Sequence, residues 1–116
     1  MDSIARLTEA ALAFRNARDW EQFHTTKNLV ASIAIEAAEL MEEVQWVEAD
    51  AAESRAQARV ESVADEVADI AVYLLLLCDR LDIDLGEAIE RKIAKNAAKY
   101  PVEKARGRAV KYDELE

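Results

Sequence analysis

Two stretches of the chain repeat apolar residues at a spacing of 3.6 residues, and this periodicity constrains the fold more than any other feature. The first stretch contains Val30, Ile33, Ala34, Ala37, Leu40, Met41, Val44 and Val47, and the second contains Val60, Val63, Ala64, Val67, Ile70, Ala71, Leu74, Leu77 and Leu81. This spacing is typical of an amphipathic helix with one buried face. Because the 116 residues include only two glycines and one proline, little would interrupt such helices. The sequence therefore predicts an all-α protein.

Four helices are expected, within a single domain that spans residues 1–116. The first helix is predicted from Ser3 to Arg18, and the second from Thr25 or Thr26 to Val47. The third follows a loop around Asp50–Ser54 and ends near Leu81, and the fourth begins at Asp84 and ends before Pro101. Ser3 is the expected N-cap of the first helix, and Asp84 that of the fourth. Residues 102–116 are expected to form an irregular tail.

The charge of the chain excludes several classes of partner. The 24 acidic and 15 basic side chains leave a net charge of −9, so neither a nucleic acid polymer nor an anionic membrane is an expected partner. The longest apolar run, Ile70–Cys78, is too short to cross a bilayer. The start of the chain does not have the pattern of a signal peptide, and we therefore expect a cytoplasmic protein.

The two apolar stretches also share an acidic pattern. At an offset of 30 residues Glu36 matches Glu66, and Glu39 matches Asp69. At about 100° per residue the two acids of each pair lie on one side of their helix, beside the apolar stripe. If both stripes face one core, the four carboxylates converge at the seam between the helices. Helix packing explains why the apolar residues match at this offset, but it does not require the acidic residues to match.

Four converging carboxylates indicate a site for a hard divalent cation. Oxygen ligands suit Mg²⁺ or Mn²⁺ rather than zinc, and the only histidine, His24, is not placed as a di-iron site would require. Glu43 shares the ligand face and could join the site, whereas Glu42 points further into solvent. The alternative is a non-catalytic helical oligomer whose acidic face is merely solvated or binds ions.

The motifs resemble those of a known superfamily. The run Glu36-Ala37-Ala38-Glu39-Leu40, followed by Glu66-Val67-Ala68-Asp69, is similar to the signature of the MazG-like all-α nucleoside triphosphate pyrophosphohydrolases. Further matching stretches, in the same order along nearly the whole chain, are Arg18–His24, Asn28–Leu29, Gln45–Trp46, Tyr73–Leu74, Asn96, Tyr100–Pro101 and Lys111–Tyr112. Within the superfamily the resemblance is strongest to the dCTP-cleaving branch.

The resemblance implies an activity and an assembly. It implies Mg²⁺, with Mn²⁺ as a substitute, bound by Glu36, Glu39, Glu66 and Asp69. It implies that dCTP or a modified dCTP is cleaved between the α and β phosphates to the monophosphate and pyrophosphate, which clears the nucleotide pool. Either Glu36 or Glu39 is then expected to accept the proton of the attacking water. A broader pyrophosphatase of noncanonical triphosphates is the alternative. The four-helix units are expected to form a dimer or a dimer of dimers.

Substrate contacts are expected from aromatic and polar residues outside the acidic motifs. The resemblance assigns Trp20, Trp46 and Tyr73 to the base, with His24 near them, and Asn96 and Lys92 to the phosphates. Tyr73 also follows Asp69 by one helical turn, which by itself places it near the ligands. For Trp46 the alternative is a core cap at the end of the second helix. Phe14 and Phe23 are expected in the core or at most in a pocket wall.

Overall fold

The computed structural model describes residues 2–116, and all of its regular structure is helical. The helices are α1 (Ser3–Ala17), α2 (Thr26–Glu42), α3 (Ala52–Ala58), α4 (Val60–Arg80), α5 (Leu85–Lys99) and α6 (Val102–Ala105). Short 3₁₀ turns lie at Glu21–Phe23, Ala49–Ala51 and Tyr112–Glu114. No strand occurs within the described residues. The predicted all-α class, with four long helices, is confirmed.

Side-chain caps fix where the long helices begin. The Thr25 hydroxyl accepts a hydrogen bond from the amide of Asn28, and the Asp84 carboxylate accepts one from the amide of Glu87. Asp2, not Ser3, caps α1, because its carboxylate accepts from the amide of Ala5 at 2.8 Å. The prediction of Ser3 as the cap is therefore wrong by one residue.

Two predicted boundaries on the central helices also differ from the structure. Helix α2 ends at Glu42 and the chain turns over residues 43–46, although the apolar stripe continues to Val47. The predicted third helix is divided at Arg59, whose φ of −116° and ψ of 30° separate α3 from α4. The first apolar stripe continues past the end of α2 because a turn can present an apolar residue to the core as a helix does, whereas the second stripe begins at Val60, directly after the break.

The segment up to Ile83 forms one compact unit around α4. Helices α1 and α2 both pack against α4. The buried apolar side chains are Leu29 of α2, which is fully buried, and Leu75 and Leu76 of α4. Leu75 is not part of the apolar stripe of the second stretch, so its burial departs from the predicted pattern. Burial of these side chains is the main term that holds the helices together.

The segment Asp84–Glu116 forms a second compact unit. The ammonium of Lys99 lies 4.6 Å from the centre of the Tyr112 ring, and the rings of Tyr100 and Tyr112 meet edge to face at 6.2 Å. The predicted irregular tail thus contains one turn of helix, α6, and a 3₁₀ turn held against the end of α5. That the whole chain is a single domain stays a prediction.

Large apolar side chains remain exposed on the central helices. On α2 they include Val30, Ile35 and Met41, and on α4 they include Val67 and Val72. None of the helices described is long and apolar enough to span a bilayer.

Candidate metal and nucleotide site

Three carboxylates meet where α2 packs against α4. Glu36 and Glu39 lie one turn apart on α2, and Glu66 lies on α4. One oxygen from each lies within 4.8 Å of the others. None of the ion pairs formed within residues 2–116 involves these three side chains. The like charges are therefore not neutralised by a lysine or an arginine.

This crowding changes the proton affinity of the carboxyl groups. Burial, followed by hydrogen bonds to Glu39 and Glu66 and by the charges of Glu39 and Asp69, raises the pKa of Glu36 to about 7. Burial also raises the pKa of Glu66, and the charges of Glu39 and Asp69 reinforce this, although a hydrogen bond from Glu36 opposes it. Without a cation, the cluster therefore retains a proton to a higher pH than isolated carboxylates would.

The donor set fits a divalent cation. The Oε2 atoms of Glu36 and Glu66 are buried and have no hydrogen-bond partner. Buried oxygens without a donor are unfavourable unless something positive reaches them. Carboxylate oxygens are the ligands of hard cations. Asp69 lies outside the group of three, yet its charge acts on both Glu36 and Glu66, so it is within reach of the same site.

An aromatic row lies in the same unit of the fold. The ring of Tyr73, one turn after Asp69 on α4, meets the ring of His24 edge to face at 6.3 Å. His24 lies 6.4 Å from Trp20, and Trp20 lies 5.8 Å from Phe14. The structure thus brings Trp20, His24 and Tyr73 together.

The connector between α1 and α2 is folded by local hydrogen bonds. Asp19 adopts a left-handed conformation with φ of 54°, which reverses the chain after α1. The side-chain amide of Gln22 donates a hydrogen bond to the backbone carbonyl of Asp19, and the side-chain amide of Asn28 donates one to the backbone carbonyl of Phe23. These bonds fold the connector so that His24 is half-buried, whereas Trp20 remains 41% exposed.

His24 presents an unused polar atom. Its Nδ1 is buried and has no hydrogen-bond partner. Burial, with the nearby charge of Arg15, lowers the pKa of His24 below its ordinary value. The imidazole is therefore neutral at pH 7 and can accept or donate one further hydrogen bond.

Several other residues singled out in the sequence are exposed. Trp46 follows α2 and is 88% exposed, so the core-cap alternative is wrong. Lys92 and Asn96 lie one turn apart on the exposed surface of α5. Phe14 is 54% exposed, with the Arg18 guanidinium over its ring, and Phe23 is also exposed, so neither belongs to the core.

The sequence did not indicate roles for Arg15, Arg59 or Ser62. Arg15 is only 8% exposed and lies close enough to His24 to affect its pKa. Glu43 was expected to be able to join the metal site, but its carboxylate is bonded to Arg59 and Ser62. No sequence pattern indicated that contact.

Comparisons with known proteins show which proteins this chain resembles. Bovine (Bos taurus) dCTP pyrophosphatase 1 is 38% identical over 104 residues, which are 88% of this chain and 62% of that protein. The protein of the same name from Homo sapiens is 36% identical over 104 residues, 88% of this chain and 61% of that protein. The chain thus spans about three fifths of the length of these curated relatives.

A solved structure and a family model extend the comparison. A pyrophosphatase from Archaeoglobus fulgidus matches with a TM-score of 0.83 and 41% sequence identity, covering 87% of this chain and 94% of that chain. The MazG-like family model matches residues 31–115, which include all four acidic residues of the predicted site. The resemblance stated from the motifs is confirmed, and the protein belongs to the MazG-like family.

Proposed function

We propose that the protein is a Mg²⁺-dependent nucleoside triphosphate pyrophosphohydrolase that cleaves dCTP or a modified dCTP to the monophosphate and pyrophosphate. The observation that supports this most is the cluster of Glu36, Glu39 and Glu66, with two buried oxygens that have no partner. The relatives named as dCTP pyrophosphatase 1 and as a pyrophosphatase support the same reaction. The proposed location is the cytoplasm, with free nucleotides as substrate.

The carboxylates serve to hold the metal and to accept a proton. Glu36, Glu39, Glu66 and Asp69 would bind Mg²⁺, with Mn²⁺ as a substitute, and the bound cation would neutralise phosphate charge and acidify water. Glu36 or Glu39 accepts the proton of the water that attacks the α phosphorus. The pKa of about 7 that Glu36 has in the cation-free chain would fall with a cation bound beside it, which would leave the carboxylate ionised and able to accept a proton.

The aromatic row serves to recognise the base. Trp20 and Tyr73 offer flat surfaces for a nucleobase, and the free Nδ1 of the neutral His24 can hydrogen-bond to the edge of the base. Trp46 is proposed as a further base contact. Lys92 and Asn96, which share one side of α5, are proposed to bind the phosphates.

The test is a panel of nucleotides assayed in Mg²⁺, with the products separated. The expected result is release of pyrophosphate, not of orthophosphate, with the highest kcat/KM for dCTP or a modified dCTP. Replacing Trp20 by alanine is expected to lower kcat/KM for the preferred nucleotide about 10-fold, since stacking contributes roughly 1–3 kcal/mol per base.

The panel separates this proposal from its alternatives. Equal kcat/KM across all bases, in wild type and in Trp20→Ala, would remove the aromatic row from base recognition and favour a broad pyrophosphatase. Release of orthophosphate would show cleavage between the β and γ phosphates and would contradict the proposed cleavage between the α and β phosphates. Absence of any release would favour the non-catalytic helical oligomer.

A homo-oligomer, either a dimer or a dimer of dimers, is proposed as the assembly. Val30, Ile35 and Met41 on α2 and Val72 on α4 expose apolar surface that a second copy would cover.

Light scattering is therefore expected to give twice or four times the 13.0 kDa of one chain. Replacing Val72 by lysine is expected to shift the mass toward that of the monomer, because a charge would enter the apolar contact. The control Glu61→Gln changes the net charge by the same unit at an exposed polar position of α4. A wild-type mass of one chain at micromolar concentration would contradict the proposal.

A further inference from the structure

Glu43 joins the two helices that carry the acidic cluster. Its side chain is only 9% exposed, although it directly follows the last residue of α2. Its Oε2 accepts a hydrogen bond from Nε of Arg59 at 2.6 Å, and its Oε1 accepts one from the hydroxyl of Ser62 at 2.6 Å. Within residues 2–116, and apart from the contacts among the carboxyl groups of the cluster, every other side-chain hydrogen bond joins residues no more than five positions apart. These two bonds, the Glu43 clamp, are therefore the side-chain hydrogen bonds outside the cluster that join distant parts of the chain.

The clamp lies one turn from the carboxylates on both sides of the seam. Glu43 follows Glu39 by four residues, and Ser62 precedes Glu66 by four residues. On a helix four residues correspond to about 6 Å. Besides the carboxylates of the cluster, the side chains that α2 and α4 bury are the apolar Leu29, Leu75 and Leu76. Apolar burial is non-directional, so by itself it defines the axial position of a helix only weakly. Hydrogen bonds do select a position, since they weaken with distance and angle.

The charge of the clamp supports the same role. The hydrogen bond from Ser62, and then that from Arg59, lower the pKa of Glu43, so the carboxylate is ionised at neutral pH. Both of its oxygens are occupied by donors, which leaves Glu43 bonded to the protein instead of to a cation. Arg59 is the residue at the break between α3 and α4, so the clamp also fixes where α4 begins.

We propose that Glu43 is a positioning residue for the metal site, which sets the axial position of α2 against α4 so that Glu36, Glu39 and Glu66 meet at ligand distance. The proposal rests on the proposed function for the metal site itself. It concerns metal affinity and not the chemical step. Loss of the clamp should therefore weaken metal binding and leave the nucleotide contacts in place.

The experiment measures Mn²⁺ binding by electron paramagnetic resonance without nucleotide, at a temperature where circular dichroism shows each variant folded. Glu43→Ala and Ser62→Ala are compared with Glu42→Ala, a neighbouring exposed glutamate. We expect Glu43→Ala to raise the Kd for Mn²⁺ about 10-fold, at the lower end of the effect of residues that orient ligands. Ser62→Ala should have a smaller effect, and Ser62→Thr, which keeps the hydroxyl, should restore wild-type affinity. Glu42→Ala should bind as wild type does.

Activity then separates positioning from a general structural role. The Mg²⁺ concentration for half-maximal hydrolysis should rise in Glu43→Ala in proportion to the Kd, whereas kcat at saturating Mg²⁺ and KM for the nucleotide should stay within about twofold of wild type. Wild-type Mn²⁺ affinity in folded Glu43→Ala and Ser62→Ala would overturn the proposal. If wild type neither binds Mn²⁺ nor releases pyrophosphate, the proposed function fails instead. If Glu43→Ala does not fold, the Mn²⁺ affinities of Ser62→Ala and Ser62→Thr test the proposal instead.

Discussion

Replacing Glu36 by glutamine is expected to lower kcat/KM for nucleotide hydrolysis by about 1,000-fold and to raise the thermal stability of the metal-free protein. The activity falls because a metal ligand is lost, and a bound metal contributes several kcal/mol to catalysis, with each factor of ten equal to about 1.4 kcal/mol. The stability rises because the amide has nearly the same shape but no charge. In the wild type, burial and the charges of Glu39 and Asp69 oppose ionisation at this position.

The opposite signs of these two effects make the prediction specific to a metal site. Pyrophosphate release is measured in Mg²⁺, and the unfolding temperature is measured in excess chelator. Glu42→Gln is the matched control, since it removes the same charge from an exposed position on the same helix; both quantities should stay near wild type. Full activity in Glu36→Gln would contradict the role of Glu36 as a metal ligand. A lower unfolding temperature of this variant in chelator would contradict the repulsion between Glu36 and the neighbouring carboxylates.

The second large effect expected is on pH dependence. The pKa of Glu36 is raised from 4.5 to about 7 in the folded chain, so between these values the folded state binds more protons than the unfolded state. The stabilisation from this group is complete below about pH 4.5 and is lost as the pH rises through about 7. The raised pKa of Glu66 acts in the same direction. Over this range the carboxylate cluster should therefore lower the stability of the metal-free protein as the pH rises.

Metal binding should show the reverse trend. Because a cation must displace the proton, affinity for Mn²⁺ is expected to rise about 10-fold per pH unit below pH 7 and to level off above it. Unfolding temperatures in chelator and in Mg²⁺, measured from pH 5 to pH 8, should diverge as the pH increases. In Glu36→Gln most of this divergence should disappear. Equal curves for wild type and the variant would show that Glu36 ionises normally.

The helical class and the acidic pairs could be read directly from the sequence. A spacing of 3.6 residues is a local property that any amphipathic helix must show, and Glu36 and Glu66 occupy equivalent positions of two such helices. Pairing of α2 with α4 was then the simplest way to bury both apolar stripes. For the same reason Tyr73, one turn after Asp69, could be placed near the carboxylates.

Helix ends and side-chain partners could not be read in the same way. The end of α2 at Glu42 and the break at Arg59 depend on how turns pack, which an apolar pattern does not record. Glu43 shares the acidic face by spacing, yet its partners come from residues 16 and 19 positions away. The burial of Arg15 and the exposure of Phe14 likewise depend on which face of α1 meets α4.

The sequence by itself determined the local properties of this protein: four long helices, their caps within a residue or so, and two acidic pairs in register with two apolar stripes. Only the tertiary structure decided which carboxylates share a site, that Glu36 holds its proton to about pH 7, and that Glu43 binds Arg59 and Ser62 rather than joining the cluster. The reason is physical. Periodicity and capping depend on neighbours within one or two turns, whereas desolvation, charge repulsion and hydrogen bonding depend on distances between segments that only packing brings together.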